Sequence, residues 1–123
     1  MILGIGTDIT DIARIEHLVV EQGERFLHKC FTAGEIAYAQ STDNMAASLA
    51  KRWAGKEAVV KALGTGFGNG LYYRDVEIVS GGQPTVKLHS LPESLAQKNL
   101  TIHLSLSDDA GHALAFVIVE QSN

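Results

Sequence analysis

The sequence predicts an α+β fold with a mostly antiparallel sheet packed against helices. Three observations carry this. Apolar residues recur at helical spacing through the first half of the chain and alternate at strand spacing through the second. Turn signals at Gly81-Gly82-Gln83-Pro84 and Asp108–Gly111 fall between strand-like runs and mark hairpins. A single short apolar run opens the chain ahead of all the helices, so the elements do not alternate as they do in a parallel α/β sheet.

Taken in order, residues 2–7 (Ile-Leu-Gly-Ile-Gly-Thr) read as a buried strand. Residues 11–22 turn helical, with Ile12, Ile15, Leu18 and Val19 on one face, until Gly23 interrupts. A short helical segment near 24–30 follows as part of the same region. Thr32-Ala33-Gly34-Glu35 fits a capping box and starts a helix to about Gln40. Ser41-Thr42-Asp43 breaks the chain and offers the next N-cap. The longest helix runs from about Asn44 to Leu63, with Gly64 in the position that favours a left-handed backbone. It carries Ala46, Ala50, Ala54, Ala58 and Ala62 at a spacing of four, a ridge of small side chains that lets another element approach closely. Leu49, Trp53 and Val60 add bulk on a second stripe. Residues 75–80 and 85–88 form a hairpin, and Pro92 starts a helix to about Lys98. In 101–107, Ile102, Leu104 and Leu106 share one face and His103, Ser105 and Ser107 the other. A last strand spans 113–120. The order is β-α-α-α-β-β-α-β-β.

At 123 residues the chain is expected to be one domain, 1–123, with its own core. An apolar fraction of 46% and a charged fraction of 20% are those of a globular protein. A net charge of −4 speaks against a general nucleic-acid binder. The single cysteine, Cys30, has no intramolecular disulfide partner and reads as a structural thiol. With an early Asp8 and no basic leader, the opening is not that of a signal peptide, and no apolar run nears the roughly 20 residues that span a bilayer. The expected location is the cytoplasm.

The chemistry concentrates in two places. Glu57 and Lys61 lie four residues apart, so they share a helix face next to Gly64-Thr65-Gly66-Phe67-Gly68-Asn69-Gly70. Alone, the pair reads as a surface ion pair. Beside a glycine loop with free backbone N–H groups it also suits a metal or a phosphate. The loop is not a dinucleotide fingerprint, because it follows a helix instead of a strand. Asp8 follows the first strand, where it serves as a cap or turn residue or as a functional carboxylate, although Asp11 and Thr10 fit the capping role better. Asp8 and Glu57 together offer two hard oxygen donors of the kind magnesium takes. No His/Cys spacing points to zinc, and no nucleophile elbow is present.

Gly4-Ile5-Gly6-Thr7-Asp8-Ile9 and the run from Arg52 to Gly66, Arg-Trp-Ala-Gly-Lys-Glu-Ala-Val-Val-Lys-Ala-Leu-Gly-Thr-Gly, resemble the holo-acyl-carrier-protein synthase family, the small bacterial type of 4′-phosphopantetheinyl transferase. The likeness extends through Ser105-Leu106-Ser107 and the strand from Ala113 to Ile118.

The resemblance implies transfer of the phosphopantetheine arm of coenzyme A to a serine of apo acyl carrier protein, in support of fatty acid biosynthesis. It implies Asp8 and Glu57 as ligands of Mg2+, Glu57 as the group that orients or deprotonates the serine, and Lys61 as a phosphate contact. Gly64, Thr65 and Gly66 would line the coenzyme A site, and Arg14 would receive the acidic carrier protein; Arg25, His28 and Lys29 further along extend the basic patch or, more simply, form a solvated face. It also implies a homotrimer with shared active sites. One departure is Asp108, where many relatives carry histidine. The alternatives are a non-catalytic coenzyme A-binding module of the same fold, which would be expected to have lost Asp8, Glu57 or Lys61, and a magnesium-dependent hydrolase without a protein docking surface.

Overall fold

A computed structural model describes residues 1–68 and 70–122. Strand β1 spans Ile2–Asp11 and leads into helices α1 (Ile12–Gln22), α2 (Glu24–Cys30), α3 (Ala33–Gln40) and α4 (Met45–Leu63). After a 3-10 turn at Tyr73–Asp75 come β2 (Val76–Val79), β3 (Thr85–Leu88), the short helix α5 (Glu93–Ala96), β4 (Leu100–Asp109) and β5 (His112–Gln121). The α+β reading holds: β1, β5 and β4 form an antiparallel sheet in that order, and β2 and β3 a separate antiparallel hairpin.

The caps follow from local chemistry. Asp11 accepts from the Ala13 N–H and starts α1. Thr32 and Glu35 cap α3 reciprocally, as the capping box predicts. Asn44, not the preceding Ser-Thr-Asp run, is the N-cap of α4, accepting from the Ala47 N–H. Gly64 ends α4 at φ 75°, in the left-handed region.

Helix α4 lies across the sheet at backbone contact. A Cβ on Gly6 would stand 1.9 Å from the Ala58 carbonyl oxygen, and one on Gly4 1.8 Å from that of Ala62. The two strand glycines and the alanine ridge are therefore the two halves of one close approach. Around it, Ala54, Ala58, Val59, Leu71, Val76, Ile78, Val117 and Val119 form one core. A second core joins the other flank of α4 to α1–α3 through Ile15, Phe26, Phe31, Leu49 and Trp53.

Three expectations need correction. The first strand continues past Thr7 to Asp11, because it pairs with β5 along its whole length. It is not a buried strand: only one face meets α4, while Ile5 and Ile9 on the other are 58% and 64% exposed. Helix α5 stops at Ala96, short of Lys98. Asn69 of the glycine loop lies outside the described residues.

Candidate active site

Asp8 sits within β1, opposite Ala115 of β5, two residues beyond Gly6 and on the same face. It is neither a cap nor a turn residue. Thr10 Oγ1 donates to its Oδ2 at 2.7 Å, which fixes the carboxylate. Lys61 Nζ lies 3.2 Å from Asp8 Oδ1 and also donates to the Thr7 carbonyl at 3.0 Å. The structure thus joins the two sequence segments at Asp8 and Lys61. The simple pairing of Glu57 with Lys61 does not occur, since Lys61 turns to β1 instead.

Glu57 stands one helical turn before Lys61. Its Oε1 accepts from the Tyr73 hydroxyl at 2.7 Å. Among the described residues no hydrogen bond reaches Oε2. Tyr73 stacks on Trp53, with ring centroids 4.5 Å apart, and on Phe67 at 3.9 Å. Burial, and then the bond to Glu57, push the phenol above its usual range, so it stays a neutral donor. Sequence reasoning passed over Tyr73. The signal was faint: a tyrosine after a glycine loop belongs to no motif.

The glycine loop departs from its expected role. The N–H groups of Gly64, Thr65 and Gly66 bond back to the carbonyls of Lys61 and Val60 and close the end of α4. These three N–H groups are therefore taken by the helix end, because an α-helix C-terminus needs them first. Thr65 Oγ1 is a buried oxygen without a partner among the described residues. The positive φ of Gly66, 62°, keeps the chain close to the helix end.

Arg14 is exposed on α1, its guanidinium 5.9 Å from the centre of the Trp53 ring. Arg25 and Lys29 are exposed on α2, and His28 pairs with Glu24 at 2.6 Å. Cys30 is buried, and its burial raises the thiol pKa, as fits a structural residue. Asp108 pairs with Lys51 at 3.3 Å. Both line a cavity of about 390 Å³ with Ser48, Arg52 and Ser80. Arg52 bonds the Ser48 carbonyl and Ser80 Oγ, while Arg52 Nε and Ser48 Oγ are buried without partners among the described residues.

The 4′-phosphopantetheinyl transferase superfamily profile matches residues 4–117. The chain belongs to this superfamily. A holo-[acyl-carrier-protein] synthase of Rhizobium meliloti is 46% identical over 128 residues, spanning 98% of this chain and 92% of its own. The crystal structure of the Neisseria meningitidis synthase superposes with a TM-score of 0.83 at 32% identity, over 98% of this chain and 99% of that one. The Helicobacter pylori synthase, solved with coenzyme A, gives 0.82 at 33% identity over 94% and 99%. These relatives place the chain among the holo-acyl-carrier-protein synthases, and it is a transferase. Among the described residues no helix is long and apolar enough to cross a membrane.

Proposed function

We propose that this protein transfers the 4′-phosphopantetheine moiety of coenzyme A to a serine hydroxyl of apo acyl carrier protein, and so serves fatty acid biosynthesis in the cytoplasm. The observation that carries the reading is the meeting of Asp8 and Lys61 at 3.2 Å, one turn from Glu57, in a chain related to a coenzyme A-bound synthase.

In the reaction the serine Oγ attacks the phosphorus that carries the pantetheine. An Oγ–P bond forms, the P–O bond within the diphosphate breaks, and adenosine 3′,5′-bisphosphate leaves. Glu57 orients the hydroxyl or takes its proton, directly or through a bound water. Lys61, half exposed and anchored to β1, presents its ammonium to the phosphates and stabilises the leaving group. Of the Gly64–Gly66 segment, the N–H groups are bonded to the helix end, so contact with the coenzyme falls to its carbonyls and the Thr65 side chain.

The donor set fits Mg2+. Asp8 and Glu57 are carboxylates, and among the described residues no group of three or more His, Cys, Asp or Glu side chains gathers to hold a metal alone. Such a pair suits an ion that completes its shell with water and phosphate oxygens. Asp8 and Glu57 would hold it, and when bound it neutralises charge on the diphosphate.

Two surfaces complete the reading. Arg14, with Arg25 and Lys29, receives the acidic carrier protein. On the outer face of the sheet Ile5, Ile9, Leu114 and Phe116 are 40–64% exposed in adjoining register, and a homotrimer covers them.

The test is intact-mass spectrometry of apo acyl carrier protein incubated with this protein, coenzyme A and Mg2+. A phosphopantetheine-sized gain that a chelator abolishes supports the transfer and its metal dependence. Coenzyme A binding without any gain makes the protein a binding module instead.

A further inference from the structure

Tyr73 is held at three points. Its ring stacks on Trp53 and Phe67. Its carbonyl accepts from Lys56 Nζ at 2.8 Å. Its hydroxyl donates to Glu57 Oε1 at 2.7 Å. Lys56 and Glu57 are consecutive on α4, so one helical turn grips both the backbone and the phenol of the same residue. Lys56 is itself fixed, since its ammonium also donates to the Val76 carbonyl at 2.6 Å and to Glu35 Oε1 at 2.8 Å. That uses all three of its protons and ties down both sides of the Tyr73–Asp75 turn. Glu35 in turn accepts from the N–H groups of Thr32 and Ile78, so the anchor reaches α3 and β2.

A glutamate on a helix surface samples several rotamers, and its carboxylate is spread over them. Here the phenol selects one. It occupies Oε1 and, among the described residues, leaves Oε2 without a hydrogen bond. A group preset in this way loses no freedom when the substrate arrives, which is where orientation contributes to rate.

We propose that Tyr73 is a positioning residue for the transfer: its hydroxyl fixes the Glu57 carboxylate so that Oε2 faces the reacting groups. The proposal rests on the role of Glu57 given above. It differs from a packing role, which the ring alone would fill.

Tyr73→Phe separates the two, because it keeps the ring and removes only the oxygen. The turnover number is measured per coenzyme A-binding site, counted by calorimetry, so that partial unfolding does not enter. The expected result is a kcat lower by about tenfold to a hundredfold, the range for a lost bond to a charged group. The KM for coenzyme A and the calorimetric affinity stay as in the unaltered protein. In a Glu57→Gln background the same substitution is expected to cost nothing further. Unaltered kcat in Tyr73→Phe overturns the proposal. So does an equal loss in both backgrounds, which makes Tyr73 act independently of Glu57. If the unaltered protein itself transfers nothing, it is the transferase reading that fails.

Discussion

Lys56 and Glu35 form an ion pair sealed from solvent, with Nζ and Oε1 2.8 Å apart and both side chains 0% exposed. Burial lowers the lysine pKa, and the Glu35 charge pulls it back up. Such a pair adds little net stability over an apolar substitute, but breaking it strands a charge. Lys56→Met should cost about 3–5 kcal/mol in urea unfolding. Replacing both, Lys56→Met with Glu35→Leu, should recover only the part due to the stranded charge, because the N–H groups of Thr32 and Ile78 and the carbonyls of Tyr73 and Val76 lose their partners as well. A single variant as stable as the unaltered protein would show that Glu35 finds another partner.

The helix–sheet contact has no room for one methyl group. Gly6→Ala places its Cβ 1.9 Å from the Ala58 carbonyl, a backbone atom that cannot swing aside. The helix must lift off β1, which should cost 1–3 kcal/mol or more, as overpacking does. It should also move Lys61 away from Asp8. Thermal unfolding checks the first effect. Substituting Gly82, where a Cβ meets nothing within 4 Å, tests positive φ without crowding.

Much of this arrangement was legible in the sequence, and the illegible part has a physical cause. The alanine ridge predicted a close approach to α4, and Gly4 and Gly6 supply its other side. The capping box at Thr32 and the stop at Gly64 are local chemistry and appear where expected. The sequence singled out Asp8, Glu57 and Lys61 as candidates but did not show that Lys61 bonds Asp8 instead of Glu57. Lys61 sits four residues from Glu57, yet its ammonium reaches a strand 53 positions earlier in the chain. Glu57 finds Tyr73 across a loop. The Lys56–Glu35 pair was invisible, since a lysine beside a glutamate in a helix reads as surface polarity. At the start of the glycine loop, helix capping takes the N–H groups of Gly64, Thr65 and Gly66.

Lys61 has two anchors on β1 and an exposed ammonium, so losing the side chain should leave the fold intact. Lys61→Ala should raise the barrier for transfer by roughly 2–4 kcal/mol, the range for removal of one preset donor. Steady-state kinetics with coenzyme A and apo acyl carrier protein give the figure. Unaltered rates would remove Lys61 from the phosphate role.

Arg14 is exposed on α1, and in the proposed reading it belongs to the docking surface. Arg14→Glu should raise the KM for the acidic carrier protein about tenfold or more, because a like charge replaces an opposite one. The KM for coenzyme A should not change. The loss should shrink at high salt, where charges separated by more than a Debye length are screened. An equal effect on both substrates would place Arg14 in the coenzyme site instead, and no effect would favour hydrolysis without a carrier.

Glu77 links β2 to the start of α3 and to the chain after β3. Its Oε1 lies 2.8 Å from His89 Nε2, and its Oε2 accepts from Thr32 Oγ1 at 2.8 Å. The bond to His89, ahead of that to Thr32, holds the carboxyl below its ordinary value of 4.5. A carboxylate with a lowered folded pKa contributes stability that is fully present above its unfolded value. That stability is lost as pH falls through the folded one. The melting temperature should therefore decline on acidification below about pH 4.5. In Glu77→Gln that part of the decline should vanish, with lower stability at neutral pH and the two curves converging in acid. Parallel curves at every pH would mean that the amide replaces the carboxylate in both bonds and that its charge contributes nothing.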